Sequence, residues 1–153
     1  MLRTLLLSVA LFAVAFGCTC PESRNPEQLF CNSDAVGVFR IFKQIPGNDT
    51  LHISHYTGPQ RVFKSVAGKP GQDNQPHIEY ITIVQTNSHQ TACGVTWLKE
   101  DKDYLLNGAY DFDQRTLKIG TCGQIAPTEW SRVPEDIKKA LEAGSFKCPE
   151  KKD

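Results

Sequence analysis

Asp34-Ala35-Val36-Gly37-Val38-Phe39-Arg40-Ile41-Phe42-Lys43-Gln44 is rich in β-branched and aromatic residues and runs into the cluster Pro46-Gly47-Asn48-Asp49. Val, Ile and Phe suit a pleated, half-buried surface, and Pro, Gly, Asn and Asp suit a turn. The stretch reads as a strand followed by a turn. Working outward, further strands are expected over about 51–56, 61–66, 77–86, 104–110 and 116–125. The run 77–86 is the clearest, carrying Ile78, Tyr80, Ile81, Ile83 and Val84. A Gly/Pro/Asn-rich loop is expected over 69–76 and a turn over 111–115.

Two short helices bracket the strands. Asn25-Pro26-Glu27 places a capping residue, a proline and an acid at a helix start, with the helix running to about Cys31. Val133-Pro134-Glu135-Asp136 opens a second helix to about Ala143, stopped by Gly144. Its Ile137, Ala140 and Leu141 share one face. Five or six short strands with a following helix and no internal repeat point to a small closed or partly open β-barrel.

The chain has 153 residues, a length for one domain, with 17 basic and 17 acidic side chains. That balance argues against a nucleic-acid binder, which needs a basic excess. Residues 5–16 are apolar apart from Ser8, Arg3 precedes them, and Ala15 and Gly17 are the small residues before a cleavage point. This is the pattern of a secretory signal peptide over 1–17. It is shorter than the roughly 18–20 apolar residues of a membrane span, so no membrane insertion is expected. Cleavage after Gly17 makes Cys18 the first residue, with a free α-amine. The mature chain then carries one more acid than base, as a domain over 18–148 and a tail over 149–153.

Six Cys follow the signal segment: Cys18, Cys20, Cys31, Cys93, Cys122 and Cys148. An even number in a secreted chain implies disulfides. No Cys-x2-Cys pair favours zinc. Three Cys are early and three late, so each early one is expected to pair with a distant one, among several possible connectivities. Such bonds clamp the N-terminal segment onto the sheet.

No nucleophile motif, phosphate loop or dinucleotide fingerprint occurs, and the chain does not read as an enzyme. His52 and His55 are three apart, which on a strand sends them to opposite faces, so no shared metal is expected. Asn48-Asp49-Thr50 is an acceptor site for N-glycosylation. Lys147, Lys151 and Lys152 read as a solvated tail. No cofactor of its own is expected.

Cys18-Thr19-Cys20 after a signal segment, Phe30-Cys31-Asn32-Ser33-Asp34, and Thr121-Cys122 with Ala126-Pro127 and Trp130 together resemble the tissue inhibitors of metalloproteinases. The resemblance runs from Cys18 to Cys148. Two departures stand out: ten residues separate Cys20 from Cys31, one more than is common in the family, and Pro21 follows Cys20 directly. The family's second, six-Cys domain has no counterpart here. The resemblance implies a netrin-like module, mainly β with flanking helices, built on a five-stranded OB-type Greek-key barrel. It implies the disulfides Cys18–Cys93, Cys20–Cys122 and Cys31–Cys148. It further implies a secreted inhibitor that binds zinc metalloproteinases one to one. The Cys18 amine and carbonyl would chelate the protease's catalytic zinc, and Thr19 would enter its specificity pocket. Cys20 and Pro21 would follow along the cleft, with Gln90, Thr91 and Ala92 as the second half of a binding ridge. The rival expectation is a non-inhibitory netrin-like module that binds extracellular matrix.

Overall fold

The computed structural model of the protein describes residues 18–20, 25–47, 49–65 and 81–149. The expected signal segment 1–17, Pro21, Asn48, Val66, the expected loop 69–76, residues 77–80 of one expected strand, and Lys151 and Lys152 lie outside these residues.

The elements are α1 (Pro26–Asn32), β1 (Ala35–Ile45), β2 (His52–Lys64), β3 (Ile83–Asn87), β4 (Lys102–Asp111), β5 (Thr116–Lys118) and α2 (Glu135–Glu142). The strands close a barrel in the order β1-β2-β3-β5-β4, with β4 returning to β1. Every neighbouring pair is antiparallel except β3 with β5. The fold is thus mainly β, a five-stranded OB-type barrel with flanking helices and three disulfides.

Alternation along β1 builds two cores. Ala35, Phe39 and Ile41 point into the barrel, where they meet Ile81, Val84, Tyr104, Leu106 and Leu117. Val36 points outward with Leu105 of β4, against Leu29 of α1, Leu141 of α2, and Ile125 and Val133. A strand covered on both faces reads as a continuous apolar run, as β1 does at its start.

The helix ends form as their residues dictate. The Asn25 side chain accepts from the Gln28 N–H at 2.8 Å, with Pro26 in the first helical position. Gly144 adopts φ +61° after α2. There the Gly144 N–H donates to Leu141 and the Ser145 N–H to Ala140, so the last carbonyls find partners.

Two strand expectations need correction. Segments 51–56 and 61–66 are one strand, β2, running through Gly58-Pro59. β2 pairs with β1 nearly throughout, but its register with β3 covers only His52–Tyr56. Pro59 lies beyond that stretch and has one described neighbour, where a missing N–H is tolerated. Gln60 is the extra residue at a register shift opposite Val38/Phe39, so the gap expected between 56 and 61 is a bulge within one strand. The second correction concerns 116–125: β5 ends at Lys118, and a 3-10 turn occupies Thr121–Gly123. Thr121 turns its N–H and hydroxyl to the Cys93 and Gly94 carbonyls, which draws the chain off the sheet.

His52 and His55 take opposite faces. His52 is exposed and meets Asp49 at 2.8 Å. His55 stands opposite Val84, points into the barrel, and is 6% exposed with no partner for Nδ1. Burial lowers its pKa from the ordinary value, against the pull of Glu100. Below about pH 6.5 the unfolded chain binds a proton at His55 that the folded one resists, so stability rises with pH through this window. The melting temperature should therefore drop on going from pH 7.5 to 5.5, and His55→Leu should shrink that drop. Equal drops in both proteins would assign the effect to another group.

Candidate functional site

The segment Cys18-Thr19-Cys20 is bolted to two turns. Cys18 is bonded to Cys93, at the end of the 3-10 turn Gln90–Ala92, with Cα atoms 5.0 Å apart. Cys20 is bonded to Cys122, inside the turn Thr121–Gly123, at a Cα separation of 5.2 Å. Cys31 of α1 is bonded to Cys148 beyond α2, which ties the chain that follows the N-terminal segment to the end of the domain. Phe30 and Phe146 pack beside this bond with ring centroids 5.3 Å apart.

Local chemistry shapes the Cys93 turn. The Ala92 and Gly94 N–H groups both donate to the His89 carbonyl. Cys93 takes a left-handed conformation, φ 57° and ψ 30°, which reverses the chain. At Gly94 a Cβ would run into the Asn87 carbonyl oxygen, so the close crossing there needs a glycine. The Asn87 amide donates to the Ala92 carbonyl at 2.6 Å. Ser88 anchors the turn to the β1–β2 connection, its N–H on Leu51 and its hydroxyl on Thr50. Thr121 joins the two turns, donating its N–H to Cys93 and its hydroxyl to Gly94, each at 2.9 Å.

This scaffold holds Thr19, Cys20, Gln90, Thr91 and Ala92 exposed, with Cys18 half-buried. The Cys18–Cys93 bond brings Cys18-Thr19-Cys20 beside Gln90, Thr91 and Ala92. Pro21 falls outside the described residues. No Lys, Arg, Asp or Glu occurs in 18–20, 88–94 or 120–124. An uncharged ridge loses little hydration free energy when another surface covers it.

Sequence reasoning missed a buried polar network behind the Cys122 turn. Asn107 of β4 is 1% exposed. Its side-chain amide donates to the Gly123 carbonyl at 2.6 Å and to the Ser33 hydroxyl at 2.9 Å. Its side-chain oxygen accepts from the Ile125 N–H at 2.9 Å. Gln124 donates from its amide to the Asn107 carbonyl at 2.8 Å, and Ser33 donates to Leu29 of α1 at 2.8 Å. The available signal was an Asn in mid-strand, where that residue is disfavoured without a partner.

Among the described residues, one group of three metal-ligating side chains comes together: Cys18, Cys93 and Cys122. All three sulfurs are in disulfides, which leaves them no thiolate to offer a metal.

A closed OB-type barrel with its Cys-Thr-Cys segment bolted to two turns is an arrangement of the netrin-like class. A family model described as tissue inhibitor of metalloproteinase matches residues 16–146, and the chain belongs to that family. A search of curated proteins finds no match. Members of the family are metalloproteinase inhibitors, not enzymes, and they are typically extracellular. No helix among the described residues is long and apolar enough to cross a membrane.

Proposed function

We propose that the protein is a secreted inhibitor of zinc metalloendopeptidases of the matrix metalloproteinase type, acting one to one from the ridge around Cys18. The observation that carries this is the Cys18–Cys93 bond, which holds half-buried Cys18 and exposed Thr19 and Cys20 against an exposed turn. Cleavage after Gly17 frees the Cys18 amine. That nitrogen and the Cys18 carbonyl oxygen are spaced to close a five-membered chelate. A catalytic zinc keeps an open position and takes nitrogen and oxygen donors, so the pair fits the target's metal. The amine must be neutral to donate, and its reference pKa is about 7.7–8.0. Thr19 enters the main specificity pocket, Cys20 and Pro21 extend along the cleft, and Gln90, Thr91 and Ala92 cover its neighbouring wall. The disulfides pre-order this surface and so lower the entropy cost of binding. Asn48-Asp49-Thr50 offers an acceptor site for an N-linked glycan, and extracellular matrix is a candidate further partner.

Protein secreted from a eukaryotic host, with Cys18 confirmed as its first residue, is titrated against a matrix metalloproteinase catalytic domain. Activity should fall linearly to zero at one inhibitor per enzyme. Full activity in the presence of correctly processed, fully disulfide-bonded protein would overturn the reading and leave the matrix-binding module.

A further inference from the structure

Two of the three disulfides pack sulfur against sulfur. Cys122 Sγ lies 3.3 Å from Cys18 Sγ and 3.6 Å from Cys93 Sγ, so the Cys122 end of one bond faces both atoms of the other. Cys18, Cys93 and Cys122 are half-buried, whereas Cys20 is exposed. The Cys20–Cys122 bond therefore has one end on an exposed residue and an inner end against a second disulfide. Among the described residues, Cys31–Cys148 has no comparable sulfur neighbour.

We propose that Cys20–Cys122 is a thiol-exchange site for small-molecule thiols of the glutathione class, and that Cys122 relays the exchange to Cys18–Cys93. The incoming thiolate attacks the Sγ of Cys20, the exposed residue of the pair. A mixed disulfide forms at Cys20, the Cys20–Cys122 bond breaks, and Cys122 leaves as a thiolate with the bonding electron pair. Released from Cys20, the Cys122 side chain turns in line with its neighbour and attacks Cys18 Sγ. The Cys18–Cys122 bond forms, the Cys18–Cys93 bond breaks, and Cys93 leaves as a thiolate that water protonates. Two disulfides are present before and two after. One external thiol is consumed and one thiol appears at Cys93, so no oxidant is needed.

The consequence is mechanical. Cys18 moves from the Gln90–Ala92 turn to the Thr121–Gly123 turn, and the two halves of the ridge lose their covalent link. Cys93 is left in its left-handed conformation without the bond that held it. This chemistry goes beyond the inhibitory reading and does not depend on it.

The test uses the secreted full chain with all three disulfides, incubated with millimolar reduced glutathione at pH 8. Samples are quenched with acid and N-ethylmaleimide over time, digested, and mapped by mass spectrometry. The expected early species carries glutathione on Cys20, alkylation on Cys93, and a new Cys18–Cys122 peptide. In the variant with Cys20→Ser and Cys122→Ser, Cys93 should be alkylated at least tenfold more slowly. Alkylated Cys122 with Cys18–Cys93 intact would overturn the relay, as would earlier alkylation of Cys31 and Cys148. Should the double variant fail to fold, the peptide map of the unsubstituted protein decides alone.

Discussion

One Ala placed ahead of Cys18 in the processed chain should abolish inhibition and leave the barrel intact. The addition turns the Cys18 nitrogen from an amine into an amide, whose lone pair is delocalised into the carbonyl and cannot serve as a zinc donor. It also carries the new amine about 3.8 Å away in Cα position, beyond the reach of a chelate that includes the Cys18 carbonyl. Inhibitory affinity should fall at least about a thousandfold, or about 4 kcal/mol. The disulfides Cys18–Cys93 and Cys20–Cys122 use side chains that the extension does not touch. Circular dichroism and melting temperature should therefore match the unextended protein. The sign of the pH dependence follows from the same amine. Affinity of the unextended protein should rise between about pH 6.5 and 8, as the neutral amine replaces the ammonium. Unchanged potency in the extended protein would remove the chelating amine from the mechanism.

How much of this was legible in the sequence depends on the range of the forces concerned. Asn25-Pro26 and Gly144 act within one helical turn, and both helix ends fall where these residues place them. The β-branched run at 35–41 is likewise a local signal, and β1 lies there. The separate strands expected over 51–56 and 61–66 are one, because β1 pairs with β2 straight through Thr57, Gly58 and Pro59. The early end of β5 was hidden because Thr121 bonds to Cys93 and Gly94, which no window around Thr121 contains. The ridge divides in the same way. Cys18-Thr19-Cys20 announces itself as a tripeptide after a signal segment. Gln90, Thr91 and Ala92 came only through the family resemblance, because their place beside Cys18 depends on a bond across 75 positions. The supports of that turn, Asn87, Gly94 and Thr121, went unseen: Asn87 and Gly94 act through the fold of the turn itself, and Thr121 through carbonyls of another segment.

Asn107→Leu should destabilise the protein by about 4 kcal/mol, a large share of the roughly 5–15 kcal/mol of a whole domain. Leucine has the same branching and heavy-atom count, so the side-chain shape is roughly kept and the lost polar partners dominate the outcome. Without Asn107 the Ile125 N–H and the Gly123 carbonyl lose their bonds, and Ser33 keeps only its bond to Leu29. The buried Ile125 N–H left alone costs about 1–3 kcal/mol, and the lost bonds to the part-buried Gly123 carbonyl and to Ser33 add about 0.5–1.5 kcal/mol each. The melting temperature should fall by about 15 °C at about 4 °C per kcal/mol. Asn107→Asp keeps an acceptor for the Ile125 N–H but sets a buried carboxylate against the Gly123 carbonyl, so at neutral pH it should fall below the leucine variant. Urea unfolding of the three proteins orders them, and a loss below about 1 kcal/mol in the leucine variant would show that the network carries little of the fold's stability. The location makes the effect functional as well as structural. Gly123 directly follows Cys122, so Asn107 braces from behind the turn that Cys20 is bonded to. A leucine there should weaken inhibition even at temperatures where the barrel stays folded, because the bond from Cys20 would then end on a loosened support.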